Sequence, residues 1–418
     1  MKSNIISSIG LIVISILAVA GCSEDRKIAN PAVDNGHDSP ATLEKRISRN
    51  NQFAMDLYRQ LALSETGDFV VCPHSISTAF GMAYAGARND TERQIAEVLH
   101  FNYPPQGFHS ELSGLNALLE SREGTEIDIE NGCWVDSVYH YEQDYIDTLT
   151  GCYQAEVQNV DFMHHPEEAR QAINEWAYDN WGLINLFPEG SLTPLTYMIL
   201  VNTMVFDGEW EIQFDPEYTS MGEFTRIDST TRNTFYMKGE CSRRYYQGDG
   251  FQALELPFKE RNMSMILILP ERGKFLEFEE NFSIEAADSI TGSFINRTVH
   301  MEIPRFVIDS GYDLIETMRD MGLTLPFAAG ADFSGIDGTS GGSIWISVLV
   351  HKAEIVVTEY GVHAAAATGM GFILGEVKYF LAHHPFIYLI RDIETGTILF
   401  MGRVMDPVEP WVPPYPMG

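Results

Sequence analysis

Cations are scarce in this chain. Twenty-seven Lys and Arg stand against 59 Asp and Glu, a formal charge of −32 over 418 residues. Binding to a phosphate backbone needs clustered Lys and Arg, so nucleic acid is excluded as a partner. The acidity instead describes a solvated surface. No P-loop or dinucleotide fingerprint is present, and no cofactor is expected. Internal repeats and low-complexity blocks are missing, as is any proline- or glycine-rich linker across residues 50–405. With 45% apolar composition the chain can bury a large core, and the missing linker favours one large mixed domain over two or three.

Long hydrophobic runs are also absent, apart from residues 9–20 near the N-terminus. Twelve residues are too few to span a bilayer but suit a signal-peptide core, and Lys2 supplies its positive start. The segment ends in Ala18-Val19-Ala20-Gly21-Cys22, which resembles a prokaryotic lipobox and implies lipidation at Cys22. An ordinary signal peptide with a chance cysteine is the alternative. Residues 1–21 are thus expected to be a signal peptide and 22–45 a polar, flexible tether. A folded domain over 46–408 and a tail over 409–418 are expected to follow. Acidic residues straight after Cys22-Ser23 resemble a surface-export signal of some bacterial lipoproteins. Cys72, Cys133, Cys152 and Cys241 remain, permitting three pairings or four buried free thiols.

Helical patterns occupy 46–64, 74–99 and 167–181. Strand patterns recur through 196–206, 252–256, 263–269, 299–308 and 344–358, and a hairpin is expected from 386–391 and 397–404. Strands and helices interleave without a βαβ rhythm, which gives an α+β reading.

The stretch HKAEIVVTEYGVHAAAATGMGFILGEV, residues 351–377, is the most informative. Residues 355–358 form a β-branched run suited to a sheet. Beyond Gly361 the even positions, Val362, Ala364, Ala366, Thr368, Met370, Phe372 and Leu374, make a largely apolar face. The odd positions, beginning His363, Ala365 and Ala367, are small and mostly featureless. The pattern describes a strand able to slot between strands that already exist. A short helix is the alternative, because alanines are strong helix formers, but the flanking glycines oppose it.

HKA…TEYGVHAAAAT, followed by HHPFIYLIRDIETGTILFMGRV, resembles the hinge, reactive loop and C-terminal hairpin of the serpin family. FAMDLYRQLA, FVVCPHSISTAFGMAYAGARNDTERQIAEVLHF, ILVNTMVFDGEWEIQF and IPRFVIDSGYDL match the family in the same order, so the resemblance runs from about residue 50 to 407. It implies a single-domain serpin fold with three β-sheets, surrounding helices and an exposed reactive-centre loop. It also implies suicide-substrate inhibition of proteases, with no catalytic group of the chain's own.

Carried over by position, the resemblance implies a hinge of Glu359, Gly361, Val362, His363, Ala364, Ala365, Ala366, Ala367 and Thr368. It puts a breach at Trp210, Arg305 and Glu359, where Arg can grip the carboxylate at two points. A shutter falls at Ser75, Asn202 and His351, where hydroxyl, amide and imidazole exchange hydrogen bonds as strands separate. Cys72 stands where the family usually has serine, and a thiol is the weaker donor. The family's spacing forward from Gly361 puts the reactive bond between Gly375 and Glu376. Spacing back from Pro385 puts it after Leu374, whose side chain can fill a specificity pocket. No Arg or Lys occurs between Gly361 and Val377, so elastase-, chymotrypsin- or subtilisin-like targets are expected rather than trypsin-like ones. NDTERQIAEVLHF carries a single Arg, so no heparin-type site is expected, and the chain is expected to be a monomer.

Two other patterns invite different chemistry. Gly338-Thr339-Ser340-Gly341-Gly342 fits G-x-S-x-G, but a nucleophile elbow needs a strand, a sharp turn and then a helix. Here SIWISVLV follows and reads as a strand, so Ser340 is expected in an exposed loop. His164-His165 and His383-His384 are adjacent pairs, which do not face one site on a helix or strand, so no metal is expected. A non-inhibitory binding or scaffold protein of the same fold is the standing alternative, and a surface hydrolase using Ser340 the remote one.

Overall fold

A computed structural model describes residues 40–101, 107–138, 140–181, 186–339, 344–362 and 376–410. All of its elements belong to one compact unit, Ser39–Gly418. Helix α1 (Pro40–Ser64) leads through the short strand β1 (Phe69–Val71) to α2 (Pro73–Gly86), α3 (Asn89–Val98) and α4 (Phe108–Glu120). Strands β2 (Thr125–Asp136), β3 (Glu156–Val160) and β4 (Met198–Glu209) follow, with α5 (Gln143–Cys152) and α6 (Pro166–Trp181) between them. Next come β5 (Ser220–Thr225), β6 (Thr231–Gln247), β7 (Phe251–Pro257) and β8 (Met263–Pro270). Helices α7 (Phe275–Asn281) and α8 (Ile284–Ser293) precede β9 (Ile295–Pro304) and β10 (Phe306–Asp313). After α9 (Ile315–Asp320) and α10 (Ser334–Asp337) the chain ends in β11 (Val350–Val357), β12 (Gly361–Val362), β13 (Val377–Leu381), β14 (Phe386–Asp392) and β15 (Ile398–Val404). Mixed α+β architecture is therefore as expected.

Helix α2 buries all but two of its fourteen residues, because PHSISTAFGMAYAG is small or apolar on every face. The expected single helix over 74–99 is two helices. Gly86 lies against α10, where a Cβ would sit 2.2 Å from Ile336, and both Ala87 and Arg88 are extended, so the chain turns before α3 begins. Helix α1 begins at Pro40, upstream of the expected 46.

Among the described residues the strands form two hydrogen-bonded ladders, one of them made of two layers joined through a shared strand. One is nine-stranded, ordered β1-β15-β14-β8-β7-β6-β9-β13 with β5 on β6. The seventeen-residue β6 is shared: it pairs with β5 and β9 along most of its length and with β7 at its end, which joins two layers into one ladder. The other sheet is six-stranded, ordered β10-β11-β12-β4-β2-β3. Its inner face packs on the nine-stranded sheet, with Phe206, Ile355, Val357 and Val362 meeting Ile390 and Phe400 in one cluster. Part of its outer face lies under α6, where Ile199 and Val201 join Phe162, Ile173 and Ala177.

Two strand expectations change for one reason, the location of the pairing partners. The run 299–308 is divided at Arg305: β9 ends at Pro304 in the nine-stranded sheet and β10 begins at Phe306 in the six-stranded one. Residues 344–349 form no strand, because β10 gives way to α9 at that level and only β11 from Val350 finds a ladder. The four described cysteines are free: Cys72 and Cys133 are buried, Cys152 and Cys241 half-buried.

Candidate functional site: a parted sheet with a hinge strand at its mouth

Among the described residues, β4 and β11 do not pair with each other. Only β12 lies between them, antiparallel to both. Val362 is level with Val357 of β11 and with Gly208 of β4. It is 2% exposed and faces the core, the face assigned to the even positions of the hinge. Below it runs a cleft of about 110 Å³, lined by residues 203–206 on one side and 352–355 on the other, with Ile390 and Phe400 at its floor. Further down, a smaller hollow of about 50 Å³ is bordered by Met198 and Leu200 opposite residues 344–349. The half-strand missing at 344–349 flanks this lower cleft.

The turn into β12 is tightly specified. Thr358 N–H donates to Gly361 O at 3.0 Å, and Gly361 has φ +154°, a value that favours glycine. A Cβ there would lie 2.0 Å from the Gly208 carbonyl oxygen, so only glycine lets the hinge backbone approach β4. Trp210 closes the top. Its ring stacks on Phe258 with centroids 4.7 Å apart, its Nε1–H donates to Thr358 O at 2.9 Å, and its backbone N–H donates to Tyr360 O at 2.9 Å.

Glu359 is 1% exposed. Its Oε1 accepts from Arg305 Nε at 2.7 Å, from Arg305 Nη2, and from Thr219 Oγ1 at 2.5 Å. Arg305 and Glu359 thus form a largely buried ion pair, with both Arg donors on a single oxygen. Thr219, bonded to Glu359, and Phe258, stacked on Trp210, join these three residues and carried no sequence signal.

Asn202 and His351 share one rung, and Ser75 reaches it from α2. Counting six residues down both strands from the Val357–Gly208 level brings His351 opposite Asn202. The rung continues to Tyr312 on β10 and to Asn131 on β2. Ser75 Oγ donates to Asn202 O at 3.3 Å, and Asn202 Nδ2 donates to Asn131 Oδ1 at 2.8 Å. His351 Nε2 accepts from the Cys72 backbone N–H at 3.1 Å, and its ring stacks on Tyr312. Burial holds the His351 imidazole down to about 4, so it is neutral and free to accept. Burial likewise pushes the Cys72 thiol up to about 12. That thiol lies 3.6 Å from Met204 Sδ, so it is the backbone of Cys72, not its side chain, that holds the histidine. Asn131 was missed by sequence reasoning, although it interrupts an otherwise apolar inward row of Ile127, Ile129, Cys133 and Val135.

Beyond residues 363–375, β13 begins at Val377 and pairs in parallel with β9. Glu376 is exposed and ion-paired with Lys378 at 2.6 Å. Cys22, Ser340, His363, Ala364, Ala365, Ala366, Ala367, Thr368, Leu374 and Gly375 lie outside the described residues. His164 and His165 pair with Asp161 and Glu168, and His383 with Glu302. No metal-holding group of three or more His, Cys, Asp or Glu occurs among the described residues.

The site is thus a six-stranded sheet in which β4 and β11 are separated by the two-residue β12, with a buried turn leading into it from the top. The family description Serpin (serine protease inhibitor) matches residues 48–407. An uncharacterized serpin-like protein of Thermococcus kodakarensis is 34% identical, over 95% of this chain and 98% of its own length. The leukocyte elastase inhibitor of Bos taurus is 32% identical, over 87% of this chain and all of its own. Among solved structures, thyroxine-binding globulin in complex with thyroxine superposes with a TM-score of 0.79 at 27% identity, covering 87% of this chain and all of that one. The chain belongs to the serpin family, whose members are generally protease inhibitors rather than catalysts.

Proposed function

We propose that this chain is a suicide-substrate inhibitor of extracellular serine or cysteine endopeptidases. The observation that carries the reading is β12, already seated between β4 and β11 at the mouth of a cleft that continues below it. The target's nucleophile attacks the carbonyl carbon of the bait bond, an acyl-enzyme forms, and the segment beyond the cut leaves as a new amino terminus. The freed loop then extends the β12 register downward. Ala364 comes level with Ile355 and Phe206, Ala366 with Ala353 and Met204, and Thr368 with His351 and Asn202. A hydroxyl would thereby enter the parted polar rung, where it can bond both sides.

About ten new backbone hydrogen bonds at roughly 1 kcal/mol each give on the order of 10 kcal/mol, comparable to the whole stability of a typical domain. Some 14 residues extending at ~3.3 Å each carry the protease about 45 Å. Cleavage after Leu374 or Gly375 suits an elastase-, chymotrypsin- or subtilisin-like target, and likeness to an elastase inhibitor supports this class. The protein is read as a bacterial or archaeal lipoprotein, a monomer held at the cell surface or in the periplasm through Cys22. Lasting attachment needs two acyl chains. A Cys22→Ala chain that stays membrane-bound after normal processing overturns the anchor.

The deciding experiment mixes the protein with elastase and with subtilisin. An SDS-stable complex, a large rise in Tm on loop cleavage, and a released peptide starting at residue 375 or 376 are expected. A cut after Lys378, or potent inhibition of trypsin but not of the others, defeats the target assignment. Failure to trap any of them supports the second reading, a non-inhibitory binding protein, which the likeness to thyroxine-binding globulin favours.

A further inference from the structure

The family match ends at residue 407, and the next two residues are bonded to the mouth of the cleft. Val408 O accepts from Val307 N–H at 2.8 Å in an antiparallel bridge, adding one rung to the outer edge of β10. Val307 is opposite Val356 on β11, one residue from the Val357–Val362–Gly208 level. Glu409 Oε1 accepts from the Phe235 N–H of β6 at 3.1 Å. Phe235 in turn accepts at its carbonyl from Arg305 N–H at 3.0 Å, and its ring lies 5.9 Å from the Arg305 guanidinium. The segment is held before it arrives: Asp68 accepts from Asp406 N–H at 2.8 Å, and the Asp406 carboxylate pairs with Arg226 at 2.8 Å and Arg232 at 3.1 Å.

We propose that Val408 and Glu409 are positioning residues of the breach latch. Together they tie the edge of β10 to β6 of the other sheet and fix the Arg305 backbone, so that its guanidinium stays on Glu359. A strand entering the cleft forces β10 and β11 away from β4, and this strap resists that motion at the level where entry starts. A carboxylate bonded to a backbone N–H is charge-assisted and about twice as strong as a neutral bond, which suits a two-residue tie. The added rung also covers part of an otherwise open sheet edge. The strap sets how readily β12 lengthens, and in that sense the inference rests on the loop-insertion reading above.

The test reads amide hydrogen exchange in the uncleaved protein, comparing residues 358–362 of the hinge with residues 386–391 of β14 as an internal control. Wild type is compared with a chain ending at Pro407, with Glu409→Ala and with Glu409→Gln. Hinge exchange should accelerate roughly fivefold in the shortened chain, the effect of losing about one net hydrogen bond. Glu409→Ala should show a smaller acceleration and Glu409→Gln almost none, since an amide oxygen still accepts from Phe235. The β14 control should not change. Hinge exchange unchanged in both the shortened chain and Glu409→Ala overturns the proposal, as does equal acceleration in hinge and control. If the shortened chain does not fold, Glu409→Ala against Glu409→Gln decides. No protease enters this measurement, so its failure is distinct from a failure to trap one.

Discussion

His351 and Asn202 stand on the same rung of the six-stranded sheet and share no hydrogen bond. His351 is held from below by the Cys72 backbone, and Asn202 from the side by Asn131. Asn202 Oδ1 is buried without a partner. An unsatisfied buried acceptor costs about 1–3 kcal/mol, and a donor brought to this level removes that cost. The polar rung therefore does not hold β4 and β11 together, and on the proposed reading it favours a donor that arrives between them.

Acid should weaken the fold through buried histidines. His351 and His74 are fully buried and held down to about 4, against 6.5 when exposed. The unfolded chain therefore binds more protons between these values, and stability falls as pH drops from 6.5 to 4. Each residue contributes about 3 kcal/mol over that window. Urea unfolding at stepped pH should show this decline, and His351→Gln, which keeps an acceptor for the Cys72 N–H, should remove one residue's share. A flat profile across the window would contradict the neutral, accepting role of His351.

The two partners of the latch should not be equivalent. Arg305→Ala leaves the Glu359 carboxylate buried with only Thr219 as a donor, and breaking a buried pair costs roughly 3–5 kcal/mol. Glu359→Gln should cost less, because the Arg305 side chain is 16% exposed and can turn toward water. Equal losses in urea unfolding for the two variants would show that the pair behaves as an exposed one.

On the proposed loop-insertion reading, charge on the core-facing positions of the hinge should turn trapping of a protease into simple cleavage. Val362→Arg puts an unpaired charge beside Val357 in the buried cluster, and Ala366→Glu would bring one to the level of Ala353 and Met204 on insertion, each strongly unfavourable. Cleavage continues because the bait bond is untouched, while the stable complex disappears. Gly361→Ala tests the entry itself: its Cβ meets the Gly208 carbonyl, so β12 either leaves its rung or stays at a cost of about 1–3 kcal/mol of strain. Undiminished trapping by Val362→Arg would refute the insertion face.

Thiol labelling should divide the cysteines by burial. Cys72 and Cys133 are pushed up to about 12 by burial, so neither forms thiolate near neutral pH. Cys152 and Cys241 are half-buried and less strongly raised. Brief alkylation of native protein followed by mass spectrometry should modify the second pair first. Early modification at Cys72 would mean that the shutter opens on the labelling timescale.

Much of the site was legible because its signals are local. Period two after Gly361 sets which hinge side chains face inward, since alternate residues of any strand point to opposite faces. Val362 in its buried rung follows that rule. The glycine before it answers a backbone requirement, and the hairpin of β14 and β15 is likewise set by short-range alternation and a turn. Even Asn131 is readable after the fact, as one polar residue in an apolar row.

What tertiary structure alone decided are the partners. Residues 344–349 have strand-like composition, yet they form none, because the β10 ladder ends at Asp313 and Ile346 donates instead to the Pro326 carbonyl. Residues 299–308 read as one strand but serve two sheets, with Arg305 at the joint and so within reach of Glu359. Thr219, Phe258 and the Cys72 backbone join the site from distant parts of the chain, and the strap at Val408 and Glu409 depends on β10 and β6 meeting. A side chain's face follows from its immediate neighbours in sequence. Its hydrogen-bond partner depends on which distant segment packs against it, and that is settled only when the whole core closes.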